Sequence, residues 1–182
     1  MEFSIDDRKY MELALKEAEQ ASLLGEVPIG ACLVLDGEVI ALAHNLKESK
    51  QNPLAHAELL IIHEASEKLG TWRLENCTLY VTLEPCPMCA SAIQQARIKT
   101  LYFASREPKM GAICSTDQFL DRAHLNHKVE WYEGLLADKS TELLRKFFRK
   151  RRLENKKLNE SLGGRSKRRL LRENYGKESK GL

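Results

Sequence analysis

Apolar residues near the start of the chain fall at helical spacing. Tyr10, Leu13, Ala14, Ala18, Ala21 and Leu24 predict a helix from Asp6 to about Leu24, with Gly25 as its stop. The pattern then changes period. Ile29 to Leu35 is a β-rich run, Asp36-Gly37 is a hairpin turn, and Glu38 to Ala43 alternates as the returning strand. A second helix is expected over His56 to Leu69, where Leu59, Leu60, Ile62 and Ala65 recur and Gly70 follows. Thr78 to Leu83 reads as a buried strand, about Met88 to Ala96 as a third helix after Pro85 and Pro87, and Thr100 to Ala104 as the next strand. Lys128 to Tyr132 is a further strand. Thr141 to about Arg152, with Leu143, Leu144, Phe147 and Phe148, is a terminal helix.

Strands alternating with helices after an opening hairpin imply an α/β fold. The expectation is a three-layer α-β-α sandwich around a mixed central sheet of about five strands. No internal repeat is visible. Past Leu153 the pattern gives way to Lys, Arg, Glu, Asn, Ser and Gly, including Gly163-Gly164 and Lys167-Arg168-Arg169. Residues 1–152 are therefore read as one folded domain, and 153–182 as a basic tail without fixed structure.

Charge sharpens that division. The net charge of +3 conceals an acidic body and a basic end: from Arg145 onward 15 Lys and Arg stand against 4 Asp and Glu, a net of +11, which leaves −8 for the rest. Such an end suits an anionic partner such as RNA, or is simply a solvated terminus. The first ten residues include Glu2, Asp6 and Asp7 and lack the basic start and apolar run of a secretory signal. With no apolar stretch long enough for a membrane span, the reading is a cytoplasmic protein with no membrane partner. Five cysteines, an odd number, in a chain without an export signal argue against a disulfide framework. Cys32, Cys77 and Cys114 read as packing residues.

Cys86 and Cys89 are different, because Pro85-Cys86-Pro87-Met88-Cys89 opens a helix, as does His56-Ala57-Glu58 about thirty residues earlier. Two cysteines three apart at a helix start can aim both sulfurs at one point, and the positive end of the helix dipole favours the thiolates. With one imidazole added, tetrahedral zinc keeps a fourth position for water, as catalytic sites require. A closed structural site would need a further ligand, and His44, His63, His124 and His127 lack ligand-like spacing. Two thiolates weaken zinc as a Lewis acid, so an adjacent base matters more. Glu58, two residues after His56, is placed to serve as the proton shuttle of a hydrolytic deamination.

His-x-Glu followed by Pro-Cys-x-x-Cys is the established signature of zinc deaminases acting on nucleobases. The chain resembles the bacterial transfer-RNA adenosine deaminases of the cytidine/deoxycytidylate deaminase superfamily in much more than that signature. The shared blocks are Glu26-Val27-Pro28-Ile29-Gly30-Ala31, Asn45, Asn52 to Glu58, Trp72-Arg73-Leu74, Thr78 to Cys89, Asn126-His127, Gly134, and Phe147-Phe148 before Arg151-Arg152. They cover about 150 residues and exclude the tail. The resemblance implies a homodimer, with one zinc ion per subunit on His56, Cys86 and Cys89, that converts the wobble adenosine of the tRNA anticodon stem-loop to inosine. It further implies that Glu58 is catalytic, that Asn45, with Ala57 and Pro85, meets the target base, and that Glu107 and Lys109 lie beside the flipped nucleotide. Phe147, Phe148 and Arg152 would lie near the anticodon loop. Glu107 stands where aspartate is usual, and Ile113-Cys114-Ser115 replaces a run commonly containing glycine; the longer Glu107 is expected to shift sequence or sugar preference.

Two rival functions share parts of this pattern. A free-base deaminase acting on guanine or cytosine would use the same metal elements but has no need of a row of cations, whereas an RNA loop presents several phosphates. A non-catalytic zinc protein that binds RNA would not need the Glu58 carboxylate.

Overall fold

The computed structural model describes residues 3–161. Ser4 caps the first helix, α1 (Ile5–Leu23), by accepting from the Asp7 backbone while Asp7 reaches back to the Ser4 amide, a reciprocal cap that satisfies two of the helix's orphan donors. The hairpin follows as β1 (Gly30–Leu35) and β2 (Glu38–His44). Then come α2 (Ala57–Leu69), β3 (Cys77–Leu83), α3 (Pro87–Gln95), β4 (Thr100–Ser105), β5 (Glu130–Glu133) and α4 (Ala137–Ser161), with one 3₁₀ turn at Phe119–Asp121. The sheet order is β2-β1-β3-β4-β5, antiparallel from β2 to β3 and parallel from β3 to β5. The expected α-β-α sandwich with a mixed five-stranded sheet is the observed architecture.

Alternation along the central strands explains the layers. Leu33, Leu79, Val81, Leu101 and Phe103 join Ile61 of α2 and Ile93 of α3 in one core, while Cys32, Val34 and Tyr80 join Tyr10, Met11, Ala14 and Leu15 of α1 in the other. Both faces of β1 and β3 are covered, which is why their sequences read as continuous apolar runs rather than alternating ones. Gly30 permits the close approach of α1, since a Cβ there would collide with the backbone of Ala14 and Ala18. Across the α1 face, the rings of Tyr80, Tyr102 and Tyr132 stack on neighbouring strands with centroids 5.0 Å apart. These pairs tie the parallel half of the sheet together.

The chain divides into two units, Met1–Leu144 and Arg145–Leu182. That boundary falls inside α4 and coincides with the onset of the basic end. The helix corrects the expectation that fixed structure ends near Leu153, because it continues to Ser161. Apolar periodicity stops where a helix ceases to bury a face, but the helix itself persists on its straight-chain residues and on Lys150–Glu154 and Lys156–Glu160 pairs one turn apart. The remainder of the predicted tail, 162–182, lies outside the described residues. No described helix is long and apolar enough to cross a membrane.

Candidate active site

His56 and Cys86 are the N-cap residues of α2 and α3. Their extended backbones bring the chain into each helix at an angle, and Pro87 in the first turn of α3 costs no hydrogen bond because the first amides have no partner within the helix. The two helix starts meet. His56 Nδ1 lies 3.9 Å from Cys86 Sγ and 3.6 Å from Cys89 Sγ, and the two sulfurs are 3.6 Å apart. Among the described residues this is the one group of three or more metal-capable side chains, and it can hold a metal ion. The other histidines are engaged elsewhere or exposed: His44 pairs with Glu17 at 2.6 Å and His127 bonds the Ile98 carbonyl.

The electrostatics of the cluster follow from its geometry. Hydrogen bonding from Cys89, and then from His56, overcomes burial and lowers the Cys86 thiol to about 4. Cys89, sharing its proton with Cys86 and buried, moves upward. Glu58 sits in the first turn of α2, 4% exposed, and its Oε2 has no hydrogen-bond partner. Burial first, and the neighbouring Cys86 sulfur, raise its carboxyl above the ordinary range, against smaller opposing contributions from its own backbone amide, His56 and Cys89.

Asn45, just past β2, is buried, and its Oδ1 accepts the Ala57 amide at 2.9 Å. It therefore both caps the start of α2 and leaves its amide nitrogen as the end that can donate. Pro85 is buried, with its carbonyl accepting from Ala112. The Glu107 carboxylate accepts the Lys109 amide at 3.0 Å, and the Lys109 side chain is exposed. Phe147, Phe148 and Arg152 belong to the second unit, where the two rings meet edge to face and Arg151 lies over Phe147.

Sequence reading did not single out Glu84. This residue follows β3 directly and is 3% exposed. Its Oε1 accepts the amides of Ile113 at 3.0 Å, Cys114 at 2.8 Å and Ser115 at 2.9 Å, and its Oε2 accepts the Glu107 amide at 3.0 Å and the Ser115 hydroxyl. Burial alone would raise its pKa, but these donors outweigh burial and hold it below the usual carboxylate value. The departure at Ile113-Cys114-Ser115 thus lands where main-chain amides do the holding. Cys114 is half-buried, packs against the main core and turns its sulfur toward Glu133. Glu26 repeats the device on the other side, 1% exposed and accepting the amides of Glu48 and Ser49. Both residues fall within blocks that carry the family resemblance, but nothing in the sequence assigns either of them this role.

Residues 5–152 match the family model of MafB19-like deaminases. Fold and cluster together define a deaminase of the cytidine-deaminase-like α/β class. The tRNA-specific adenosine deaminase of Bacillus subtilis (strain 168) is 47% identical over 156 residues, covering 86% of this chain and 97% of that one. The tRNA-specific adenosine deaminase of Agrobacterium fabrum is 49% identical over 146 residues, 80% and 96% of the two chains. A structure from work on A-to-I editing by tRNA:A34 deaminases at the wobble position of transfer RNA matches with a TM-score of 0.73 at 48% identity, over 75% of this chain and 99% of that one. The chain belongs to the family of tRNA-specific adenosine deaminases, which are hydrolytic enzymes.

Proposed function

We propose that this protein deaminates the wobble adenosine of a transfer-RNA anticodon to inosine, with one zinc ion held by His56, Cys86 and Cys89 and with Glu58 moving the protons. The observation that carries this reading is the buried, unpartnered Oε2 of Glu58 beside three convergent donors. The donor spacing suits zinc. Sulfurs about 2.3 Å from a tetrahedral zinc stand roughly 3.8 Å from each other, and about 3.6 Å from a ligating nitrogen; the separations here are 3.6 Å between sulfurs and 3.6 and 3.9 Å from sulfur to nitrogen.

Zinc, when bound, supplies the Lewis acidity that makes water a nucleophile near neutral pH. The chain's part is to move protons and hold the base. Glu58 Oε2 accepts a proton as the water oxygen bonds to the amino-bearing ring carbon, and returns it to the adjacent ring nitrogen. A second proton passes by the same oxygen to the amino group. The carbon–nitrogen bond then breaks, ammonia leaves, and a carbonyl remains. Asn45, fixed through its Oδ1 by the Ala57 amide, presents its nitrogen to the base, with Ala57 and Pro85 lining the same place. Glu107 and Lys109 flank the nucleotide, and Phe147, Phe148 and Arg152 meet the anticodon loop. The protein works in the cytoplasm as a homodimer, and the basic end adds RNA affinity without specifying sequence.

Incubation with total transfer RNA, followed by mapping of adenosine-to-inosine changes, tests substrate and position together. Inosine at the wobble position is expected. Ready deamination of free guanine with an intact anticodon stem-loop would overturn the reading. Glu58→Ala is expected to keep its metal and RNA binding while turnover falls by about 10²–10⁴-fold. Equal ammonia release by mutant and parent would remove the shuttle.

A further inference from the structure

Four backbone amides and one hydroxyl of a single loop converge on Glu84. Every partner is a donor, so the group is held as an anion with its acceptor capacity filled. The loop is moulded closely to it. Gly111 faces the carboxyl, and a Cβ there would collide with Glu84 Cδ and Oε2 and with the Glu107 carbonyl. Further ties run from the Gly111 amide to Glu107 O and from the Ala112 amide to Pro85 O, both 2.8 Å. Arg106 is fixed separately by a two-pronged pair with Glu133 at 2.6 and 2.5 Å.

The anchor of this loop and the metal cluster share one short stretch of chain. Glu84 donates its own amide to Ser105 O at the end of β4, at 2.8 Å, and stands two residues before Cys86. The segment that carries both cysteines therefore also carries the peg on which the loop hangs. Any shift of the Glu84 carboxylate moves the loop relative to the cysteines.

We infer that Glu84 is a positioning residue: its carboxylate sets the distance and orientation of the 106–116 loop relative to the His56, Cys86 and Cys89 cluster, and through that loop it governs how tightly the RNA substrate is held. The inference rests on the proposed function for its substrate. It does not rest on it for the loop, which can be read independently.

The test uses the full, metal-loaded chain with Glu84→Gln, which keeps the shape but turns one acceptor oxygen into a donor facing donors. Metal content stays at the parent level. Hydrogen exchange of the peptide spanning 106–116 accelerates at least about tenfold as its amides lose their acceptor. With an anticodon stem-loop, KM rises about tenfold while kcat stays within about threefold, the pattern of weakened binding rather than impaired chemistry. A parent-like KM with parent-like exchange overturns the inference. So does a fall in kcat and metal content at constant KM, which would make Glu84 a support of the metal cluster alone. If the parent leaves the stem-loop unchanged, the proposed function falls, and exchange alone decides the positioning role. Should Glu84→Gln not fold, Gly111→Ala displaces the carboxylate from the loop side without changing its charge. It is expected to raise exchange and KM in the same way, and parent-like values for it overturn the inference.

Discussion

Two buried glutamates, one in the first turn of a helix and one just past a strand, meet opposite fates. Glu58, in the first turn of α2, is 4% exposed with one oxygen unpartnered and its pKa raised; Glu84, at the end of β3, is 3% exposed with five donors and its pKa lowered. Both are shut off from solvent; at Glu58 burial prevails, whereas at Glu84 the five donors outweigh it. A buried carboxylate with a spare oxygen is costly to keep and is free to exchange a proton. A buried carboxylate with every lone pair engaged fastens chain and has nothing left to give.

The largest expected effect comes from removing the metal. Chelation is expected to abolish turnover and to expose Cys86, part-exposed and with its thiol held low, to alkylation, counted by mass spectrometry. Cys32 and Cys77 should stay unmodified at neutral pH, since burial pushes their thiols up to about 12 and about 11. The 106–116 loop should keep its slow exchange after chelation, because Glu84 holds it without the metal. Full activity in the presence of chelator would dissolve the contrast.

Stability should reverse the order of importance. Glu84→Ala strands buried donors and is expected to cost on the order of 3 kcal/mol by denaturant unfolding. Glu58→Ala removes a group with little to lose and should be near neutral. Equal costs would show that hydrogen-bond count does not separate the two sites.

Glu26 provides an intermediate case, with two backbone amides and its pKa held below the usual carboxylate range; burial would raise it, and the amides of Glu48 and Ser49 with the Ser49 hydroxyl outweigh that. A depressed folded pKa stabilises fully above the unfolded value and loses that contribution as pH falls through the folded one. Protection of peptides over 46–52, taken as the intrinsic over the observed exchange rate, should therefore fall as pH drops below about 4.3, the ordinary glutamate value, and Glu26→Gln should weaken that dependence at a cost of about 1 kcal/mol. Protection of this peptide that does not change with pH would count against the assignment. The smallest effect is expected from deleting 154–182, outside both sites. Affinity for RNA should fall a few-fold and its salt dependence flatten by about 0.7–0.9 for each phosphate no longer neutralised, with kcat unchanged. An unaltered salt slope would mark this end as inert toward RNA.

The convergence of His56, Cys86 and Cys89 was legible because its information is local: helix starts at His56 and Cys86, a three-residue cysteine spacing, and a carboxylate two residues after the histidine. The strands and the hairpin were legible from period and turn residues, with boundaries moving by one or two positions. The reach of α4 was not, because a helix that buries no face leaves no apolar period to read. The anchoring role of Glu84 was invisible for another reason. Its partners lie 23 to 31 residues away along the chain and offer main-chain amides, which every residue but proline has, so no side-chain pattern announces them.

The position of β3 has a consequence for the order in which the molecule assembles. It pairs with β1 across fifty positions, Ala31 against Val81, and only then presents β4 with a parallel partner. Pairings so distant in sequence are slow to form, while the β1–β2 hairpin and α2 need none of them. His56 lies before β3 in the chain and Cys86 and Cys89 after it, so all three donors meet only when β3 has slotted into the sheet. The moment at which the chain becomes able to grip a metal with all three is a clock for the closing of its central strand.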